Sequence, residues 1–316
     1  MKKQFSSYLK KINIIANVFI LMHTTIGNVS GQTINPPPPR TLPQMHVPMR
    51  DGQLRKDNFG KIGLSPNSKY RTLSNNLSSI GINIPETKSI FYSLKSFRDL
   101  IDSVSLSHKK SLRIFIAAYD KTCDPFNYVP DDFDKHLTLI FAPESEAHDI
   151  GPYFIIKHDG AVTSINATIK EAWVGYYEQN KLLALSPTIY PQDPDNACCG
   201  TFSDTRSMIY EMKDIKEFFT DEINHQINDN HVAVNGIRVD FASYGISGNG
   251  HGYRYRFIVQ FELTKTNAIT GGSEVFYIDN IPGDPRLNKS NTGSHNILVT
   301  ADNGQLCPPA SGCPNP

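Results

Sequence analysis

Cys198-Cys199-Gly200 sets two thiols side by side just upstream of an apolar-periodic stretch that begins near Thr205. A thiol close to a helix N-terminus can be held as the nucleophilic thiolate by the helix dipole and its free backbone donors. His225, His231 or His251 would then act as general base. No cysteine-peptidase signature surrounds the pair, and adjacent cysteines in an oxidising compartment are ordinarily disulfide partners or buried thiols. Cys198, Cys199 and His225 therefore stand as candidates only, and no catalytic residue is assigned. The remaining cysteines are Cys123, Cys307 and Cys313. The run Cys307-Pro-Pro-Ala-Ser-Gly-Cys313 has the Pro and Gly bend of a short disulfide loop, and Cys307 with Cys313 is the favoured pair; a bond from that tail to Cys198 or Cys199 is the rival. No C-x-x-C or H-x-x-x-H spacing points to a metal, and no cofactor is expected.

Acidic residues cluster twice, at Asp131, Asp132 and Asp134 and again at Asp193 and Asp195. Such groups can bind calcium or form the carboxylate pair of glycoside hydrolysis. Neither set has the glycine and terminal glutamate of an EF-hand, and Asp beside Pro is what turns use. The segment Ser247-Gly-Asn-Gly-His-Gly252 is glycine-rich, but it joins two strands rather than leading into a helix, which does not make a phosphate cradle.

A further set of polar residues is singled out by an internal repeat. Thr87–Asp102 aligns without a gap on Thr205–Thr220 at an offset of 118, with Thr, Ser, Tyr and Lys identical. Leu112–Tyr119 then aligns on Ile237–Tyr244 at an offset of 125. Arg113 matches Arg238 and Tyr119 matches Tyr244; Lys88 with Arg206 and Tyr92 with Tyr210 also correspond. Read as function, Arg113, Arg238, Tyr119 and Tyr244 are two related ligand sites, one per copy. Read as structure, they are what a duplicated packing retains.

The elements that would position these residues follow from periodicity. Ile90, Leu94, Phe97, Ile101 and Val104 recur at steps of four and three, the stripe of an amphipathic helix; Met208, Met212, Ile215 and Phe219 keep the phase. Pro85 and Asp204 serve as start signals. The run 112–117 is apolar on both faces and reads as a strand inside its sheet. Further strands are expected at 136–141 and 153–157, matched by 255–263 and 275–279. The expected class is α+β, an α-β-β-β unit twice, each helix packing on an antiparallel sheet. An extra helix between the copies is marked by the capping box Thr168 to Glu171 and by Ile169, Trp173 and Tyr177.

The order along the chain is then a signal peptide over 1–31, a Pro/Asn/Ser-rich and largely disordered tether over 32–86, repeat units over 87–162 and 205–280, a connecting helix and Pro-rich loop over 163–204, and an irregular Cys/Pro-rich tail over 281–316. Met1-Lys-Lys, the uncharged apolar run Ile12–Met22 and the small residues Val29-Ser30-Gly31 have the order of a secretory signal, with the mature chain starting at Gln32. Export to the periplasm, the cell surface or the medium is expected, with no transmembrane helix in the mature chain. The chain has 31 basic and 31 acidic residues. That balance gives no electrostatic case for a nucleic-acid partner. The leading expectation is an exported non-enzymatic protein, a binding or envelope-associated module with a protein or glycan ligand. The alternative is a secreted hydrolase using Cys198 or Cys199 with a His, or an Asp pair.

Overall fold

Among the described residues twelve strands form two antiparallel sheets of six. The computed structural model describes residues 46–60, 68–145, 147, 149–185, 204–243, 257–275, 297–301 and 305–307, all within one compact unit, Thr41–Pro316. Its elements are β1 (His46–Pro48), α1 (Met49–Gly60), α2 (Lys69–Ser79), β2 (Ser89–Ser93), α3 (Leu94–Ser105), β3 (Ser111–Ala118), β4 (Leu137–Glu144), β5 (Tyr153–Ile156), β6 (Val162–Ile165) and α4 (Ala167–Tyr176), which continues through π-helical Tyr177–Leu182 into α5 (Leu183–Leu185). The second half has β7 (Ser207–Glu211), α6 (Met212–Lys216), π-helical Glu217–Glu222, α7 (Ile223–Asn228), β8 (Val234–Ser243), β9 (Phe257–Thr266), β10 (Ser273–Val275), β11 (Ile297–Ala301) and β12 (Gln305–Cys307). One sheet runs β1-β11-β9-β8-β2, with β10 also on β9; the other runs β12-β7-β3-β4-β5-β6. The class is α+β.

Each half follows the order strand, helix, strand, strand, strand, and each lends its first strand to the other half. β2 pairs with β8, while β7 pairs with β3. The two pairings have the same register: Phe91 lies opposite Arg238 and Ile209 opposite Arg113, so the offsets of 118 and 125 carry one pairing onto the other. The hydrogen bonds agree, Phe241 N donating to Lys88 O and Ile116 N to Arg206 O. A pair of buried acids marks the same correspondence. Glu86 accepts from Thr87 N and Leu137 N and is ion-paired with Lys181; Asp204 accepts from Thr205 N and Phe257 N and is ion-paired with Lys69. Each acid thus ties the start of a lent strand to the next hairpin and to a flanking helical segment.

The inward residues of both sheets share one core with the buried stripes of α3 and of the helix beginning at Met212, including Phe97, Leu100, Ile101, Ile215, Phe218 and Phe219. A second core lies on the other face of β3 and β4, where α4 lays down Ile169, Trp173 and Val174. α1 packs on β8 and β11.

Several sequence expectations need correction. The helix expected from Thr87 begins at Leu94, capped by Ser93 Oγ accepting from Ser96 N; its first turn is β2 instead. The step of four from Ile90 to Leu94 keeps one face in a strand as well as in a helix, and Ile-Phe-Tyr is strand-forming. The second copy behaves alike, β7 preceding the helix start at Met212. Asp204 and Pro85 are therefore not helix caps, and the connecting helix is capped by Asn166 accepting from Ile169 N rather than by Thr168. The tether expected over 32–86 contains α1 and α2, whose Phe59, Leu73 and Leu77 enter the core. These three apolar side chains, with the ion pairs of Lys56 and Lys69, hold helices that otherwise read as polar. The tail expected to be irregular over 281–316 supplies β11 and β12, one to each sheet. Residues 1–45, which include the expected signal peptide, lie outside the described residues.

Candidate ligand cleft

The strand alternation that places apolar residues inward turns the matched arginines outward, and there both are engaged. Arg113 is fully buried; Nε and Nη2 donate to Glu144 Oε2 and Oε1 at 2.8 and 2.9 Å, and Nη1 donates to Ser207 Oγ at 2.9 Å. It locks β3 to β4 and β7. Arg238 is half-buried, donating from Nη2 to Glu262 Oε2 at 2.5 Å and from Nε to Asp240 Oδ2 at 3.1 Å. The two arginines sit at matching strand positions in different sheets and form no joint site. Tyr119 packs edge-on against Trp173, with ring centroids 5.0 Å apart, and its hydroxyl is pushed above its ordinary pKa, chiefly by burial. Tyr244, Cys198, Cys199, Cys313, His251, Asp193 and Asp195 lie outside the described residues, as does the 247–252 loop. The Cys307–Cys313 pair lies there too, since only the backbone of Cys307 is described.

The other candidates have local partners. His225 Nδ1 is 2.5 Å from Asp229 Oδ2, one turn on along α7. Asp134 accepts from Lys121 N at 2.9 Å, and Asp131 is ion-paired with Lys121. These are the contacts of a turn. Among the described residues no group of three or more His, Cys, Asp or Glu side chains could hold a metal ion. Cys123 is exposed and free.

A carboxyl pair escaped the sequence reading. Asp240 on β8 and Glu262 on β9 share a hydrogen bond on the sheet face beneath α1, with Lys56 Nζ 2.6 Å from Glu262 Oε1 and 3.6 Å from Asp240 Oδ2. Burial first, and then the Glu262 charge, push Asp240 up to about 7. Burial works the same way on Glu262, but the Asp240 hydrogen bond, Lys56 and Arg238 hold it below the usual range. Two acids pushed apart in this way can serve proton transfer. Here two cations neutralise them under a helix, and the cluster fastens α1 to its sheet. The only trace in the sequence is the alternation Arg238-x-Asp240, the signature of a non-core strand face.

A cleft of about 940 Å³ lies beside β2, bounded by the start of α3, the loop before β4 and the β5–β6 turn. β2 is the last strand of its sheet among the described residues, so one wall is a strand edge. Ile90, Leu137, Ile156 and Val162 give an apolar floor, and Tyr92 and Tyr119 add hydroxyls. Tyr92, like Tyr119, has its hydroxyl pushed up by burial first, and the Tyr119 charge adds to the shift on Tyr92. On the rim Lys95 pairs with Asp99 at 2.5 Å and Lys157 with Asp159 at 3.0 Å. Gly160 closes the β5–β6 turn at φ +84°, and a Cβ there would stand 2.8 Å from Ser96 Oγ, so only glycine lets the turn rest on α3. Of Arg113, Arg238 and Tyr119, the nominated ligand residues that are described, Tyr119 lines this cleft.

Among the described residues no helix is long and apolar enough to cross a membrane. No known family model, curated protein or solved structure matches this chain.

Proposed function

We propose that the chain is an exported binding protein, built from two copies of one ancestral unit, and that its ligand occupies the cleft beside β2. The observation that carries the reading is the composition of that cleft. It has an apolar floor with tyrosine hydroxyls, and the acids on its rim are each tied to a lysine. Ligand sites are largely apolar concavities with a few oriented polar groups, whereas a catalytic carboxylate needs a freer proton inventory. Export rests on the basic, apolar and small-residue order of residues 1–31. The common origin of the halves is supported by the matched registers and by the matched Glu86 and Asp204.

Filling the cleft tests the reading. Ala161 is exposed and lines it, so Ala161→Trp should abolish retention of whatever the wild-type protein captures from a glycan and peptide panel, with the melting temperature held. Equal retention by the variant would move the ligand site elsewhere. Turnover of a panel member, lost on replacing Cys198 or Cys199 by Ser, would put the hydrolase reading in its place.

A further inference from the structure

The lent strands β2 and β7 occupy equivalent positions, but their outer edges differ. In an antiparallel ladder alternate residues point both backbone groups at the same neighbour. The bond from Phe241 N to Lys88 O fixes that phase for β2: Ile90 and Tyr92 face β8, while the N–H and C=O of Ser89 and Phe91 face the cleft. The bond from Ile116 N to Arg206 O fixes the same phase for β7, so Ser207 and Ile209 face away from β3. On β7 that outward edge is taken. β12 runs antiparallel along it, Cys307 opposite Ser207, Leu306 opposite Met208 and Gln305 opposite Ile209. Ser207-Met-Ile-Tyr210 and Ser89-Ile-Phe-Tyr92 are the same edge in sequence terms. On β2 the corresponding edge opens into the 940 Å³ cleft.

We propose that the β2 edge accepts an extended segment of a partner polypeptide, which adds to the sheet as an antiparallel strand in the way β12 adds to β7. Strand addition draws affinity from main-chain hydrogen bonds and specificity from pockets for alternate side chains. Here the guest residue opposite Ile90 meets the floor of Ile90, Leu137, Ile156 and Val162 and is apolar; its two neighbours exchange main-chain bonds with Ser89 and Phe91. The rim's lysines and acids are paired with each other, so the guest carries no required charge. This rests on the cleft being the ligand site and names the class of ligand.

The probe is a blocked synthetic peptide of residues 302–309 with Cys307→Ser and a benzophenone side chain in place of Leu306, added to the full mature chain. Photolysis should give adducts mapping to residues that line the cleft. Amide exchange at Ser89 and Phe91 should slow at least tenfold with peptide, while exchange at Ile90 and Tyr92, already bonded to β8, should not change. Phe91→Pro removes an outward N–H and leaves the β8 ladder intact, as edge strands allow; it should cut the adduct yield tenfold or more, whereas Phe91→Ala, which keeps the N–H, should cut it less. Ser89→Pro is the second such variant should Phe91→Pro fail to fold. Cleft adducts with Phe91 and Ser89 exchange unchanged, or with yield unaffected by proline, would overturn strand addition while leaving the cleft a ligand site. Adducts confined to β7, or none in the cleft, would overturn strand addition, and the cleft as a ligand site would then stand or fall on the Ala161→Trp comparison.

Discussion

Asp240 is an acid whose chemistry departs from its ordinary behaviour. Its carboxyl is pushed up to about 7, first by burial and then by Glu262, while Lys56 from α1 and Arg238 on the same strand pull it back. The folded chain therefore keeps a proton that the unfolded chain releases near pH 4. By linkage this contribution is complete below that value and is lost as pH rises through 7. At 1.36 kcal/mol per unit, the loss is on the order of 4 kcal/mol. Asp240→Asn cannot ionise, so denaturant unfolding between pH 4 and 7 should lose that downward slope, and the variant should be the more stable protein at pH 8. Glu262, held low, slopes the other way and remains. Parallel pH curves for variant and wild type would show that the pair does not share a proton. At this scale the sequence was only partly legible. Arg113 and Arg238 could be paired by alignment, but their different partners, Glu144 in one half and Asp240 with Glu262 in the other, come from cross-strand neighbours far along the chain. Glu86 and Asp204 stood one residue outside the aligned block, and nothing local marks an acid that will be buried against a lysine.

The element that organises the cleft is β2, held to β8 by a close approach. A Cβ on Gly236 would stand 2.4 Å from Tyr92 O and 2.6 Å from the Phe91 ring, so Gly236→Ala must push β2 away. The cost should be about 1–3 kcal/mol by the measure of overpacked cores, and the change should lower the yield of cleft adducts along with the melting temperature. A variant as stable as wild type with an unaltered cleft would mean that the strand pair is more compliant than its geometry implies. Elements were the most legible level of this chain. The strands at 112–117, 136–141 and 153–157 lie within or beside β3, β4 and β5, and β3 is interior, as its two apolar faces require. The start of the repeated helix failed for a specific reason: a four-residue step satisfies both periods, so Ile90 and Leu94 could not say where the strand gave way to α3. Only Ser93, a serine three residues ahead of Ser96 N, carried the signal.

At the scale of the molecule, exchange of β2 and β7 makes neither half a folding unit. Residues 41–185 expressed alone lack β7 beside β3 and leave β2 without β8; residues 204–316 have the mirror deficit. Each fragment should show little cooperative unfolding by itself, and the two mixed or co-expressed should recover a single transition. A cooperative transition in either fragment alone would argue against the exchange. No periodicity could have disclosed this, because alternation assigns a strand its face and not its neighbour. The consequence reaches into synthesis. Ile90 waits for Val239, about 150 residues later, so β2 cannot join its sheet until β8 has been made, and such distant pairings form slowly. β2 thus stays unpaired until β8 has been made, which suits the passage of an unfolded chain through the translocation channel that the export proposed above requires.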